Sequence, residues 1–291
     1  MKVKMLLHLS NKKGMMKMAG ILYLVATPIG NLDDITLRAI KVLQKVDFIA
    51  AEDTRHSLKL LNHLNISKPL ISYHRHNENI KADLLIDKLL DNKSIALITD
   101  AGTPVISDPG EEIVRISLEK GIKVVPIPGA CALVTALIAS GLDSKEFTFI
   151  GFLPLNKKNR KEKLDEIQQT TNTTILYEAP HKLLSTLQDL NKILDDRKIV
   201  LAKELTKIHE NFIFGTATEL LKKLDTPKGE FVILIEKNTR AIKDNTVFLS
   251  NLTLDEHYHF YEVQGLKKNE IIKKIAKDRN VTKNEIYQYF I

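Results

Sequence analysis

A single cysteine in 291 residues excludes an internal disulfide framework and a cysteine-built zinc site. No apolar run approaches the ~20 residues that a membrane-spanning helix requires. Neither Gly-x-Gly-x-x-Gly nor Gly-x-x-x-x-Gly-Lys-Ser/Thr occurs, which counts against a Rossmann dinucleotide site and a P-loop nucleotidase. Internal repeats and low-complexity tracts are missing as well. The first 20 residues carry lysines and a brief Met5-Leu6-Leu7 cluster, but no signal-peptide core or cleavage site. They read as an extension before the first strand, with Met15, Met16 or Met18 as alternative starts. Together these features point to a cytoplasmic chain with no membrane partner.

What is present describes a globular protein: 44% hydrophobic and 27% charged residues, at a length sufficient for two domains with filled cores. The net charge of +7 suits a polyanionic partner, because each lysine or arginine that meets a phosphate releases condensed counterions. A lysine-rich, arginine-poor composition accounts for the same surplus, so charge leaves both readings open.

The most pointed local signal is Asp100-Ala101-Gly102-Thr103-Pro104-Val105-Ile106-Ser107-Asp108-Pro109-Gly110, directly after the apolar residues 95–99. A buried strand that empties into a Gly- and Pro-rich turn before a helix brings loop amides and a helix N-terminus to one sheet edge. A second such crossing follows at Pro126-Ile127-Pro128-Gly129-Ala130-Cys131-Ala132. Both loops suit a small anionic or zwitterionic ligand.

Apolar runs at 21–26, 48–51, 70–73, 95–99 and near Val124 and Val125 read as buried strands. Helical patterns fall between them, including one capped by Asp33 or Asp34 with Leu37, Ile40 and Leu43 on one face, and one carrying Leu58, Leu61 and Leu64. This alternation predicts a mostly parallel sheet covered on both faces. An apolar helix over 132–139 leads to strands at 147–152, 174–177, 199–202, 212–214 and 231–235, with Pro180 suited to a first helical turn. Residues 156–163 read as a basic loop. The expected organisation is an extension over 1–20, an α/β domain over 21–128, a second over 129–237, and a linker with a tail over 238–291. In the tail, apolar Ile271, Ile272 and Ile275 precede a break at Asp278-Arg279-Asn280 and a capping box, Thr282-Lys283-Asn284-Glu285. Two short helices around a tight turn resemble a helix-turn-helix, and a packing appendage with a solvated lysine face fits equally.

Seven segments in order carry a family resemblance. They are Val25-Ala26-Thr27-Pro28-Ile29-Gly30-Asn31-Leu32-Asp33-Asp34, Ala50-Ala51-Glu52-Asp53-Thr54-Arg55, His74-Arg75-His76-Asn77-Glu78, residues 100–110, Gly151-Phe152-Leu153-Pro154, Tyr177-Glu178-Ala179-Pro180-His181 and Lys203-Glu204-Leu205-Thr206-Lys207. From about residue 20 to 236 the chain resembles the ribosomal RNA branch of the tetrapyrrole-methylase-like superfamily, the class III methyltransferases. The resemblance implies two α/β domains with S-adenosylmethionine in the cleft between them, a homodimer, and 2′-O-methylation of a decoding-centre cytidine of 16S rRNA in the small ribosomal subunit. It assigns cofactor contacts to Pro28, Asp100, Gly102, Thr103, Ile106, Cys131, Ala132, Glu178, Leu205 and Gly229. Thr103 stands where the corrinoid branch usually has an acid, and Cys131 where the rRNA branch commonly has serine, a better hydrogen-bond donor.

Methyl transfer asks the protein to hold a hydroxyl in line with the methyl–sulfur bond and exclude water. A ribose hydroxyl is a weak acid, so a general base helps. We expect Arg55 to fix a phosphate and Asp53 or Glu78 to orient or deprotonate the hydroxyl. Other polar residues at strand ends are Glu52, His76, Asn77 and Glu204, all equally suited to loop hydrogen bonding. His74 and His76 lack a third ligand at metal-site spacing, so no metal is expected. Lys157, Lys158 and Arg160 in the basic loop, with Lys207, are the expected rRNA contacts. Two alternatives stand beside this reading: a corrinoid or diphthine-type methyltransferase, and a non-catalytic RNA-binding assembly factor.

Overall fold

The computed structural model describes residues 19–239, 249 and 252–290. The expected extension up to residue 18, and the part of the linker over 240–248, lie outside the described residues.

Five short apolar segments form the first sheet: β1 (Ile21–Val25), β2 (Phe48–Ala51), β3 (Leu70–Ser72), β4 (Ile95–Ile98) and β5 (Lys123–Ile127). Their order is β3-β2-β4-β1-β5, and every neighbouring pair is parallel. β4 shows how the sequence dictates this layering. Its four residues are all buried, and alternate ones enter different cores because side chains alternate across a sheet. Ile95 and Leu97 pack with Ala82, Leu85 and Leu89 of α3 (Glu78–Leu90) and with Ile113 of α4 (Glu111–Glu119). Ala96 and Ile98 pack on the opposite face with Ala39 and Leu43 of α1 (Leu37–Lys45) and Leu61 of α2 (Thr54–His63). The helices that follow β1 and β4 therefore lie on opposite faces. Placing the helices that follow neighbouring strands on opposite faces is how a crevice opens at the carboxyl edge of such a sheet.

Two helix readings need correction. Asp33 and Asp34 sit in a 3-10 turn, Leu32–Asp34, capped by Asn31; the cap of α1 is Thr36, whose hydroxyl accepts the Ala39 amide at 3.0 Å. Leu37 is 76% exposed, so the buried stripe is Ala39 and Leu43, four residues apart. In α2, Leu58 likewise faces solvent while Leu61 is buried.

The second sheet contains β6 (Phe147–Gly151), β7 (Thr173–Glu178), β8 (Ile199–Lys203), β9 (Asn211–Gly215) and β10 (Phe231–Ile235), in the order β6-β7-β10-β8-β9. The helix α5 (Ala132–Ala139) precedes this sheet, whose helices are α6 (Lys157–Gln169), α7 (Pro180–Asn191) and α8 (Ala217–Lys223). The expected basic loop over 156–163 is the start of α6. Asn156 caps it by accepting the amides of Lys158 and Asn159, a strong start signal beside residues of high helix propensity. Pro180 opens α7, where its missing N–H costs nothing.

The chain divides into two compact units. The first runs to Ser140 and takes in Ala202–Phe212 and Gly229–Val232; the second holds Gly141–Leu201, Ile213–Lys228 and the residues from Ile233 onward. Within the second, α9 (Leu254–Glu262), α10 (Lys268–Asp278) and α11 (Lys283–Tyr289) close around Tyr261, Ile271, Ile272, Ile275 and Ile286. The Thr282 and Glu285 capping box starts α11. Among the described residues, no helix is long and apolar enough to cross a membrane.

Candidate functional site

In the first unit the loops leaving β1 and β4 are stitched together. Thr27 and Gly102 exchange backbone hydrogen bonds of 2.9 and 3.1 Å, and the Thr27 hydroxyl donates to the Thr99 carbonyl at 3.1 Å. The Thr103 hydroxyl donates to the Ala130 carbonyl at 3.0 Å, which ties in the Pro-Gly turn before α5. Thr103, standing where an acid was the alternative, thus has a bridging role that a carboxylate could not fill, since only a donor satisfies a carbonyl. Pro28, Gly102, Thr103 and Cys131 are brought to one edge by these bonds. Cys131 precedes α5 in extended conformation, and its thiol caps nothing; its carbonyl receives both the amide and hydroxyl of Thr135.

Gly102 has φ +88°, and a Cβ there would lie 3.2 Å from the Ile29 side chain. The position is a cradle open only to glycine, buried with its own amide and carbonyl both paired to Thr27. Beyond it the loop is strained: Val105 at φ +76° and Ser107 at +67° occupy a region that L side chains avoid, the β-branched valine most of all. Such conformations cost about 1–3 kcal/mol each and persist where the surroundings over-determine them. The anchors are visible. Arg75 Nη2 donates to the Ser107 carbonyl at 2.5 Å, and the Gly110 amide donates to Glu78 Oε1 at 3.0 Å.

Three carboxylates meet at this edge. Thr99 donates to Glu52 Oε2 at 3.0 Å, and the Asp53 amide donates to Asp100 Oδ1 at 3.1 Å. Asp108 is held between their charges. Burial, then the charge of Glu52, pushes its carboxyl up to about 6, against the pull of Thr99 and Arg75. Among the described residues no group of three or more His, Cys, Asp or Glu is arranged to hold a metal ion.

The geometry changes the expected division of labour. Asp53 grips Arg55 through Nη2 at 3.0 Å and Nε at 3.3 Å, and accepts its amide at 2.8 Å as the cap of α2. Those bonds draw its carboxyl down to about 2, so Asp53 is an anchor for Arg55 and a poor proton acceptor. Arg55 keeps its side chain 90% exposed. Glu78 is also engaged: one oxygen takes the Tyr73 hydroxyl at 3.2 Å and the amides of Gly110 and Glu112, the open N-terminus of α4. A carboxylate at a helix N-terminus serves that helix. Asp108, which sequence reasoning passed over inside a motif it had singled out, is the carboxyl at this edge held in the range of a general base.

Lys207, Leu205 and Gly229 belong to the first unit. Lys207 Nζ pairs with Glu204 at 3.0 Å and Glu230 at 2.9 Å, and its stem lies where a Gly30 Cβ would fall. It is therefore committed to carboxylates, contrary to the expectation of a phosphate contact. Gly229, at φ +90°, gives room to the Glu204 side chain, and Leu205 is buried.

The second unit holds Glu178 and the basic residues of α6. Glu178 is 5% exposed. Its Oε1 accepts the Ala179 amide at 2.9 Å and its Oε2 the Thr186 hydroxyl at 2.6 Å. Arg160 turns inward from α6, donating to Thr186 at 2.9 Å and to Asp189 at 3.0 Å, with only 18% of its side chain exposed. This departs from the expected rRNA contact, and the reason is the helical periodicity that a loop reading missed. Lys157 and Lys158 stay exposed.

The fold and the edge geometry define a class, and the comparisons agree. Residues 21–221 match the family model of tetrapyrrole (corrin/porphyrin) methylases, and the chain belongs to that family. It is 48% identical over 273 residues, 93% of its length and 94% of the relative's, to ribosomal RNA small subunit methyltransferase I of Halalkalibacterium halodurans. Two solved structures share the fold. Diphthine synthase aligns with TM-score 0.61 at 15% identity, over 77% of this chain and 94% of its own. A uroporphyrin-III C-methyltransferase from Thermus thermophilus, complexed with S-adenyl homocysteine, gives 0.53 at 17% identity, over 74% and 97%.

Proposed function

We propose that the chain is an S-adenosylmethionine-dependent methyltransferase of small-subunit ribosomal RNA, modifying the 2′-hydroxyl of a decoding-centre cytidine in 16S rRNA. The observation that carries this reading is the 48% identity to a ribosomal RNA small subunit methyltransferase along nearly the whole of both chains. The corrinoid and diphthine-type alternatives rest on likenesses below a fifth in identity, which speak for fold alone. A cytoplasmic homodimer acting on the small subunit completes the proposal.

The loop edge suits the cofactor, because the amides of a Gly- and Pro-rich turn between a strand and a helix can receive its carboxylate. Pro28, Asp100, Thr103, Ile106, Cys131 and Ala132 line or flank that edge; Leu205 and Gly229 of the same unit, and Glu178 of the second, are assigned to the cofactor by the family resemblance alone. When bound, S-adenosylmethionine would supply an electrophilic methyl group, with its sulfur as the leaving group. Arg55, anchored by Asp53 and exposed, holds a phosphate beside the target ribose. Asp108 takes the 2′-hydroxyl proton as the oxygen–methyl bond forms, then returns it to water. Lys157 and Lys158 give α6 a phosphate-facing charge. Mapping of methylated nucleosides by mass spectrometry, on 16S rRNA from cells with and without the gene, tests the proposal. Loss of one 2′-O-methylcytidine, restored by the purified protein, is the expected result. An unchanged map would sink it.

A further inference from the structure

The tail sorts its charges by helix. α9 carries Asp255, Glu256 and Glu262 and no lysine or arginine. Residues 266–290, which hold α10 and α11, carry seven lysines and arginines against three acids, a surplus of four in a chain whose whole net charge is +7. Those three acids are spent inside the tail. Glu270 Oε2 accepts the Lys267 amide at the start of α10, Glu285 closes the capping box of α11 with Thr282, and Asp278 holds His257 and Tyr261. Some of the cations are spent too. Arg279 donates to His257 and to the Leu252 carbonyl, Lys268 reaches the Phe290 carbonyl at 3.0 Å, and Lys274 lies 4.8 Å from the centre of the Tyr261 ring.

Lys267, Lys273, Lys277 and Lys283 remain, all exposed, and among the described residues none of them meets a carboxylate. Lys267 lies at the far end of α10; the other three gather toward the turn. Ile271, Ile272, Ile275 and Ala276 face the tail core, so Lys273 and Lys277, four residues apart, share the opposite side of α10. The Asn280 amide donates to the Lys277 carbonyl and the Val281 amide to the Ala276 carbonyl, which closes a tight turn, and α11 then opens at Lys283. Tyr287, 44% exposed, stands one helical turn beyond Lys283. A merely solvated helix face carries partners for its cations, as α4 does for Arg115 with Glu112 and Glu119, and α6 for Lys163 with Glu166. The face of α10 and α11 lacks them. Phosphates would supply the missing anions and release their condensed counterions, and an aromatic ring beside the charges suits an unpaired base. A protein partner fits less well, because lysine is depleted where proteins dock. We propose that this face is an rRNA contact in which Lys273, Lys277 and Lys283 hold backbone phosphates. The inference rests on the proposed action on rRNA and adds where the second unit grips it. Chemistry stays at the edge of the first sheet, so loss of the contact costs affinity and is recovered by raising the subunit concentration.

Binding of the full-length protein to small ribosomal subunits and to protein-free 16S rRNA, each over a salt series, tests it. The triple variant Lys273→Gln, Lys277→Gln and Lys283→Gln keeps the side-chain stems and should melt with the parent. It should bind both about tenfold or more weakly near physiological salt, and lower the slope of log affinity against log salt by about 2–3. Arginine at the same three positions should retain the parental affinity and slope, and calorimetric affinity for S-adenosylmethionine should stay unchanged in both variants. Lys45 at the end of α1, Lys120 after α4 and Lys123 at the start of β5 lie at the amino edge of the first sheet and serve as the control. Changing these three to glutamine removes the same charge and should weaken binding by no more than about twofold. Equal losses from the two triples would mean that net charge alone draws the RNA, and would overturn the proposal. Unchanged binding by the tail variant would do the same and leave a solvated face. Weaker binding to subunits with none lost toward protein-free 16S rRNA would make the partner a ribosomal protein, which also overturns it. A parent that binds neither target sinks the proposed function itself. A parent that binds and methylates subunits, beside a tail variant of equal affinity and slope, overturns the tail contact alone.

Discussion

At the carboxyl edge of the first sheet a strained loop holds Asp108 half-buried among like charges, whereas in the helical tail His257 is wholly buried with both ring nitrogens engaged. The tail network is complete. Asp278 Oδ2 meets His257 Nε2 at 3.2 Å and accepts the Tyr261 hydroxyl at 2.5 Å, while Arg279 donates to His257 Nδ1 at 3.2 Å and to the Leu252 carbonyl. Among the described tail residues, only Asn280, in the turn before α11, and Gly265 have positive φ. At the sheet edge, by contrast, two non-glycine residues within three positions are strained, and burial with the nearby charge of Glu52 raises a carboxyl to about 6. Polar groups satisfied by their own fold stabilise it, whereas backbone strain and like charges gathered at one edge cost stability and mark a site that serves something else. The tail reads as built for cohesion and the edge for chemistry.

The largest expected effect tests the edge. Asp108→Asn should lower single-turnover methylation about 10³-fold, the middle of the range for a lost general base, with cofactor affinity retained. The parent rate should rise with pH through about 6, where Asp108 ionises, and then level off. A variant with the parental rate and profile would make the edge a strained turn and nothing more, and positioning alone would carry the reaction.

Next in size is the tail core. Ile272 is 0% exposed, in a cluster with Tyr261, Ile271, Ile275 and Ile286. Ile272→Ala should destabilise the tail by about 3 kcal/mol through lost burial and the cavity left behind. Proteolysis and thermal melting would show the tail failing first. Methylation that survives a melted tail would confirm that cohesion and chemistry are separate; activity that disappears with it would break the contrast.

Much of the framework was legible because it depends on local pattern. All-buried β4 reads directly from Ile95-Ala96-Leu97-Ile98, and α5 from its apolar run. The Thr282 and Glu285 box announces α11 by its own chemistry. The misreadings share a cause, since they depend on partners far along the chain. Lys157 to Lys163 look like a solvated loop until Asn156 is seen as a cap and Arg160 finds Thr186 and Asp189, 26 and 29 residues away. Glu78 looks available until the open end of α4, 32 residues on, claims it. Asp53 and Arg55 were read with separate roles, and the sequence does not show that their pairing removes the basicity of Asp53. Asp108 was hidden for the opposite reason. Its altered ionisation comes from burial within a strained loop and then from Glu52, neither visible in its neighbours.

The smallest expected effect sharpens the comparison through pH. Burial, aided by the Arg279 charge, draws His257 below 6.5 despite Asp278. Its folded state therefore binds fewer protons than the unfolded chain as pH falls below 6.5, and the tail loses stability in acid. Asp108 has the opposite sign. With its carboxyl raised from 3.8 to about 6, the folded state holds the proton across that window. Stability falls as pH rises through it and stays lost above. The two slopes oppose each other in the parent, so variants are needed to separate them. Asp108→Asn should melt about 2–4 °C higher than the parent at neutral pH and show no gain near pH 4, a small effect because solvent screens a group that is only partly buried. His257→Gln should flatten the acid-side loss and leave the neutral side unchanged. A parent and an Asp108→Asn variant that melt together at neutral pH would mean that the edge does not resist ionisation of Asp108. The contrast with the tail would then rest on backbone strain alone.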